Sequence, residues 1–317
     1  MSAFLELINI TKHFKVKSGL MGLKSDKVRA VDGVSLTVSK GETLGLVGES
    51  GCGKSTLAKC IMGLEKVTKG EILFDGQSVT KWDEKELRRS MQMVFQDPYS
   101  SLNPRQKIGS IIREGLDIHK IGTRAERKAR VEELLGLVGL RPEHGNRYPH
   151  EFSGGQRQRV AVARTLALNP QLIVCDEPVS ALDVSVQAQV LGMLRELQHK
   201  LGLTYVFISH DLSVVSHISD RVAVMYLGRI MELGPSQTLF KDPKHPYTEA
   251  LLSAVLPPDP TCQPEQIPLN GDMPSPMNPP TGCPFHPRCP KAFDKCVVGR
   301  PDLKEVGTDT QVACWLY

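Results

Sequence analysis

The apolar positions of this chain change period several times along its length, and each change predicts an element. Leu5 to Ile10 reads as a strand, and the Gly-, Lys- and Ser-containing stretch Lys17 to Lys27 reads as an exposed loop. Two short strands are predicted at Val34–Val38 and Thr43–Val47, and behind the second Leu57, Ile61 and Leu64 recur at helical spacing. From Lys107 to Leu140 the sequence turns charged and helix-favouring, with Thr123 as an N-cap and Glu126 completing a capping box. Alternation of strand and helix then returns: a buried strand Leu172–Cys175, a long helix from about Val184 to Leu201, and strands at Thr204–Ile208, Arg221–Met225 and Arg229–Leu233. Gly234-Pro235 is expected to stop the last of these.

The pattern ends in a stretch that can be neither helix nor interior strand. Pro257 to Pro280 holds nine prolines in 24 residues, and each proline removes an N–H donor and fixes φ. The boundary is therefore placed near Leu256, giving an α/β domain over residues 1–256, with an inserted helical subdomain at about 97–170, and a tail over 257–317. The tail has too few residues for a conventional core.

Charge changes the picture little. Lys and Arg number 39 against 35 Asp and Glu, a net +4 without a clustered basic stripe, which argues against a nucleic-acid partner. The N-terminus lacks a secretory pattern, and no run of roughly 18 apolar residues offers a spanning helix. The expectation is a soluble, cytosolic chain that reaches a membrane only through a partner. Of the eight cysteines, Cys52, Cys60 and Cys175 stand singly, whereas Cys283, Cys289, Cys296 and Cys314 cluster near the end. In such a chain, metal or cluster binding is a better reading than a disulfide framework.

The candidate chemistry lies in short motifs. Gly48-Glu49-Ser50-Gly51-Cys52-Gly53-Lys54-Ser55, followed by Thr56, fits G-x-x-x-x-G-K-[ST] between a strand and a helix. Its glycines let backbone N–H groups curl around a phosphate, Lys54 reaches the β- and γ-phosphates, and Ser55 holds Mg²⁺. The apolar strand Leu172–Cys175 runs into Asp176 and Glu177, which divides the labour: Asp176 takes the ion through water and Glu177 polarises the attacking water. Ser153-Gly154-Gly155-Gln156 opens a helix whose free N–H groups can face an anion.

Together with the phosphate loop and the acid pair, that last segment resembles the signature sequence of ABC ATPases. The resemblance implies further roles. Gln96 in VFQDPYSSLNP is similar to the glutamine loop and joins Ser55 and Asp176 around Mg²⁺; Ser180 to Asp183 is similar to the D-loop. His210 in FISHD is similar to the switch histidine, and Phe14 stands where an aromatic stacks on adenine. The implied fold is an ABC-type P-loop ATPase: a RecA-like core sheet, an antiparallel β-subdomain, an inserted helical subdomain and a small Cys-rich extension.

Over the whole chain the sequence resembles the ATP-binding subunits of bacterial dipeptide and oligopeptide importers, most closely the F-type subunit. The stretch SGLMGLKSDK, the run QDPYSSLNPR and the ending HPYTEALLSAVLPPDP…PSPMNPPTGCPFHPRC carry this narrower match. Phe152 replaces the Leu of the commonest signature. The resemblance implies a peripheral subunit on the cytoplasmic side of the inner membrane that hydrolyses ATP to drive import. It implies a heterodimer with a related D-type ATPase, two permease subunits, an extracytoplasmic peptide-binding protein and a [4Fe–4S] cluster on Cys283, Cys289, Cys296 and Cys314. Four thiolates also suit zinc. Residues from Asp97 to about His119, with Tyr99, Leu102 and Pro104 as an apolar surface, are expected to meet the membrane subunit.

Rival readings are a soluble ABC ATPase acting on ribosomes or DNA, and a non-catalytic ATP-sensing scaffold. Tandem cassettes and coiled-coil insertions, the marks of the first, are missing from the sequence, and Glu177 with His210 argues against the second. Nickel, glutathione or another small solute stands as alternative cargo.

Overall fold

A computed structural model describes residues 3–18, 24–97, 101–254, 267–269 and 271–317. Contacts divide the chain into two compact units, one drawn from Met1–Val38, Thr43–Ser78 and Ser209–Tyr317, the other from Ser39–Glu42 and Val79–Ile208.

The first unit opens with an antiparallel sheet in the order Lys24–Val38, Leu5–Ser18, Lys69–Phe74, Gln77–Ser78. The two long strands pair from Leu5 opposite Val38 out to Ser18 opposite Lys24. This corrects the expected loop at Lys17 to Lys27, since both strands run into it; residues 19–23 lie outside the described residues. Lysine and serine are read as loop residues from local composition, but here cross-strand hydrogen bonding satisfies their backbone groups, which no local pattern records. Leu5, Leu7, Ile10, Val31, Val34 and Val38 form the buried side of this pair.

The same unit holds the strand Thr43–Val47, buried at every residue, as expected where apolar neighbours cover both faces. It runs parallel to Arg221–Tyr226, from Leu44 opposite Arg221 to Val47 opposite Val224. Arg221–Tyr226 is antiparallel to Arg229–Pro235, which ends at the Gly234-Pro235 pair as expected, two residues beyond Leu233. Terminal pairing tolerates proline because no further ladder bond needs its nitrogen.

The tail departs from the sequence reading. Gln311–Val312 pairs with Glu232 and Leu233, and Lys304–Glu305 pairs with Gln311–Val312. Phe285 is fully buried, its ring 5.4 Å from Tyr226 and 5.2 Å from Tyr247. A tail too short for its own core thus borrows one, adding strands and an aromatic side chain to existing structure.

In the second unit Met91–Val94, Leu172–Asp176 and Thr204–Ile208 are parallel neighbours in that order. The long helix Val184–Leu201 ends on Gly202 at φ +65°, where glycine escapes the usual left-handed penalty. Helices Ile108–Ile118 and Arg124–Leu137 bury Ile108, Ile111, Ile112, Leu116, Val131, Leu134 and Leu135. Thr123 caps the second helix, its hydroxyl accepting from Glu126 N at 3.3 Å while Glu126 Oε2 accepts from Thr123 N at 2.6 Å. Leu102, expected on an exposed docking surface, is 2 % exposed, following Ser101, whose carbonyl accepts from Arg164 Nη1 at 2.5 Å; Pro104 is exposed. Tyr99 lies outside the described residues.

Candidate functional site

In the first unit the phosphate loop is the turn from Thr43–Val47 into the helix Lys54–Ile61. Gly53 stands at φ +112°, and a Cβ there would lie 2.1 Å from Ala30 O, so only glycine fits. The N-cap is Gly53, which has no side chain to cap the helix, and the N–H groups of such a helix start point toward where an anion can sit. Lys54 is buried, donating from Nζ to Gly48 O at 2.7 Å and Glu49 O at 3.0 Å. The loop closes further through Cys52 N donating to Glu49 O at 3.3 Å and Gly228 N donating to Cys52 O at 2.8 Å. Burial pushes the Cys52 thiol up, opposed by the Lys54 charge, so it packs and does not act as a nucleophile. Ser50 and Gly51 form the exposed crest of the loop, and Ser55 and Thr56 open the helix.

His210 is exposed between Ser209 and Asp211, and Asp211 caps the helix Leu212–Ile218 by accepting from Ser213 N at 2.9 Å and Val214 N at 3.4 Å. His210 therefore stands on a turn anchored by that cap. Phe14, half-buried on its strand opposite Val28, has Lys12 Nζ 4.6 Å from its ring centroid. A cation on an aromatic face is attractive in itself, and it reinforces the ring's placement.

The second unit carries the carboxylates. Leu172–Asp176 is buried throughout, Asp176 included. Glu177 follows at φ +48°, a conformation rare outside glycine, which a functional site retains only when its surroundings enforce it. Two contacts enforce it here: Glu177 N donates to Ile208 O at 3.0 Å, and Glu177 Oε2 accepts from Gln96 Nε2 at 2.9 Å. Gln96 and Glu177, singled out from separate motifs 81 residues apart, thus meet. Gln187 was not singled out. Its Nε2 donates to Val179 O at 3.0 Å and Leu182 O at 2.9 Å, fixing the D-loop segment. A lone glutamine in a helix gave no sign of it.

Ser153 caps the helix Gly154–Leu166 in a reciprocal box, its hydroxyl accepting from Gln156 N at 3.3 Å and Gln156 Oε1 accepting from Ser153 N at 3.1 Å. A Cβ at Gly155 would lie 2.3 Å from Val186 Cγ1, and one at Gly154 would lie 3.3 Å from Leu182 Cδ2. The paired glycines therefore let the helix start approach the D-loop and the helix after it. Phe152 is buried against His144, ring centroids 5.5 Å apart.

Within the first unit the donors suit a phosphate: a glycine cradle with the Lys54 amine beside it. The four clustered cysteines are free thiols in one neighbourhood. Cys283, pushed up to about 11, and Cys289 and Cys314 are raised first by burial and also by the charge of other cysteines in the set. Among the described residues no three His, Cys, Asp or Glu side chains stand close enough to hold a single metal ion. The thiols as arranged therefore do not form the closed four-ligand shell of structural zinc. Cys262 lies outside the described residues.

Two residues of the tail side also reach the phosphate loop without having been singled out. Tyr247 Oη accepts from Glu49 N at 3.0 Å, and the Arg288 guanidinium donates to both Glu49 carboxylate oxygens at 2.9 and 3.0 Å. Both lie in the strings HPYTEALL and HPRC, which signalled the family and not these contacts.

Residues 31–180 match the family described as ABC transporter, and residues 231–296 match the oligopeptide/dipeptide transporter C-terminal region. The chain is 55% identical to the oligopeptide transport ATP-binding protein AppF of Bacillus subtilis (strain 168), covering 99% of this chain and 97% of that protein. It is 52% identical to the dipeptide transport ATP-binding protein DppF of Haemophilus influenzae, covering 98% and 96%. Among solved structures it is similar to the dimeric, post-hydrolysis ATP-binding cassette MJ0796 bound to ADP and Pi, with TM-score 0.64, 31% identity, and coverage of 73% of this chain and 98% of that one. It is also similar to cbiO1 from Clostridium perfringens, with TM-score 0.65, 27% identity and coverage of 76% and 92%. The chain has the ABC ATPase cassette fold and belongs to the ATP-binding subunits of ABC transporters, in their oligopeptide and dipeptide branch.

Proposed function

We propose that this chain binds and hydrolyses ATP to power import of dipeptides or oligopeptides across the bacterial cytoplasmic membrane. The observation that carries the catalytic part is Glu177 at the end of a buried strand, held at positive φ with Gln96 on its carboxylate. In that position Glu177 is the general base, orienting and deprotonating the attacking water. Gln96 couples the base to the segment that follows it, and His210 contacts the γ-phosphate side of the nucleotide from its capped turn. Lys54 and the loop N–H groups of residues 48–56 bind phosphate, and Phe14 stacks on adenine. Ser55, Gln96 and Asp176 would hold Mg²⁺, which would supply charge neutralisation at the phosphates.

The names of the similar proteins AppF and DppF support the peptide cargo. No helix among the described residues is long and apolar enough to cross a membrane, which agrees with a peripheral subunit working beneath two permease subunits and supplied by an extracytoplasmic binding protein. One phosphate loop and one signature segment per chain, with a dimeric relative in MJ0796, support a head-to-tail pair in which Ser153 to Gln156 of each chain caps the other's nucleotide. The partner we infer is a related D-type ATPase. Residues from Asp97 to about His119 face the permease in this reading, with Pro104 replacing Leu102 as the surface position. The division near residue 256 is one of role: nucleotide chemistry before it, with its helical part at about 97–170, and the cysteine-bearing tail after it. Four free cysteines gathered in the tail, Cys283, Cys289, Cys296 and Cys314, support a [4Fe–4S] cluster, which their thiolates would hold and which would cross-link the tail.

Reconstitution with the permease and binding-protein subunits tests the reading. Dipeptide-loaded binding protein is expected to stimulate ATP hydrolysis. Glu177→Gln is expected to lower turnover by a factor on the order of 10² or more, while ATP still binds, because an amide cannot accept the water's proton. Wild-type turnover in Glu177→Gln removes the assignment of the base, and no response to any peptide removes the cargo.

A further inference from the structure

Glu49, the second residue of the phosphate loop, occupies a position that the G-x-x-x-x-G-K-[ST] pattern leaves open, yet it is fixed on three sides. Its carbonyl accepts from Lys54 Nζ at 3.0 Å, its N–H donates to Tyr247 Oη at 3.0 Å, and its carboxylate takes Arg288 at 2.9 and 3.0 Å. Arg288 lies 239 residues further along the chain. Its side chain is 7 % exposed against 27 % for Glu49, so the pair is mostly withdrawn from water.

The setting is built to hold this guanidinium. The same nitrogen reaches Tyr226 Oη at 3.4 Å. The rings of Tyr226 and Tyr247 stand 4.7 Å apart, and Phe285, three residues before Arg288, lies against both. Arg288 N donates to Phe285 O at 3.0 Å within that turn. One turn of the tail therefore delivers both an apolar wedge and a cation to the back of the phosphate loop. A buried ion pair is weak evidence for stability, because desolvation offsets its attraction. It does fix geometry, and a loop that recognises phosphate through backbone N–H groups depends on geometry.

We propose that Arg288 is a positioning residue for the nucleotide: acting through Glu49, it holds the phosphate loop in the shape that binds ATP, so the C-terminal tail sets ATP affinity. The inference rests on the reading of residues 48–56 as the ATP site and adds the element that controls it. The direction follows from charge. Without Arg288, Glu49 keeps an uncompensated carboxylate beside a loop that must receive a polyphosphate, so the loop loses its anchor and gains repulsion. Neutralising Glu49 in the same protein removes the repulsion and part of the defect.

The test is MgATP binding to the full-length chain by titration calorimetry, together with the ATP dependence of hydrolysis in the assembled transporter. Arg288→Ala is expected to weaken binding about tenfold. Arg288→Lys keeps the charge but not the guanidinium nitrogen that reaches both Glu49 oxygens and Tyr226 together, and is expected to weaken it by about threefold. The double variant Arg288→Ala, Glu49→Gln is expected to bind more tightly than Arg288→Ala alone. In the transporter the KM for ATP rises while kcat at saturating ATP changes by less than about twofold, since uniform binding is lost and the chemistry is intact. Unchanged affinity in folded Arg288→Lys and Arg288→Ala, with only a lowered Tm, overturns the proposal; if Arg288→Ala does not fold, unchanged affinity in Arg288→Lys is sufficient. Lys54→Ala separates the two levels: full ATP binding in that variant sinks the ATP site itself, whereas lost binding there with unaffected Arg288 variants sinks only the role of Arg288.

Discussion

At the scale of single residues, Gly155 shows how two rules of opposite sign are decided by distance. Alanine in place of a helical glycine gains about 1 kcal/mol of propensity. A Cβ 2.3 Å from Val186 Cγ1 overpacks a stiff β-branched neighbour, at a cost of about 1–3 kcal/mol. Gly155→Ala is therefore expected to lower the urea midpoint, and Gly155→Ala with Val186→Ala to restore it; a stabilised single variant would show that Val186 moves aside freely. Glu177→Gln belongs to the same scale, because glutamine keeps the shape and leaves the positive φ unrelieved, so its loss of turnover isolates proton acceptance. What could be read from sequence here was what local spacing encodes: the phosphate loop, the acid pair and the Ser153 cap. Arg288 and Gln187 could not be read, since neither has a partner within its own motif, and the Glu49 contact closes over 239 residues.

At the scale of elements, the helix Pro246–Ser253 begins on an unusual cap. His245 is buried, and its Nδ1 accepts from Tyr247 N at 3.0 Å. Burial drives its pKa down to about 3, so between about 6.5 and about 3 the unfolded chain binds a proton that the native one refuses. This contribution to stability is complete above the unfolded value and declines as pH falls, by at most about 1.4 kcal/mol per pH unit. Glu232, which accepts from Lys244 N at 2.8 Å and His245 N at 3.0 Å, is raised by burial and acts with the opposite sign. The informative quantity is thus the difference between proteins: His245→Asn keeps a capping acceptor and removes the proton. Its stability between pH 6 and pH 4, from urea unfolding, is expected to fall less steeply than wild type by up to about one proton; parallel curves would mean that His245 is protonated in the native state. Elements with strong periodicity were legible, Val184–Leu201 and Thr204–Ile208 to the residue. The hairpin beyond Ile10 was not, because Lys15 to Ser18 and Lys24 to Lys27 lack an apolar alternation and are ordered by a partner strand.

At the scale of the whole molecule, the tail is where composition misled most and chemistry is richest. Its prolines exclude regular structure, yet Gln311–Val312 completes a sheet and Trp315 Nε1 donates to Gly299 O at 2.9 Å. Protein purified without oxygen is expected to be brown, to absorb near ~400 nm as thiolate-bound iron–sulfur centres do, and to lose the colour in Cys289→Ser. Colourless protein without iron by elemental analysis would overturn the cluster. The long-range closures of this unit also bear on how it is made. Arg300 pairs with Asp32 across 268 residues, and Arg288 with Glu49 across 239, so Asp32 and Glu49 receive these partners only after residues 288 and 300 have left the ribosome. Contacts this distant in sequence form slowly, because loop closure must precede any gain from the contact. A nascent chain halted before residue 288 would hold its phosphate loop without the Arg288 anchor, open to proteases and chaperones, so arrested chains of increasing length should become protease-resistant in this unit only once residues 288–312 have emerged.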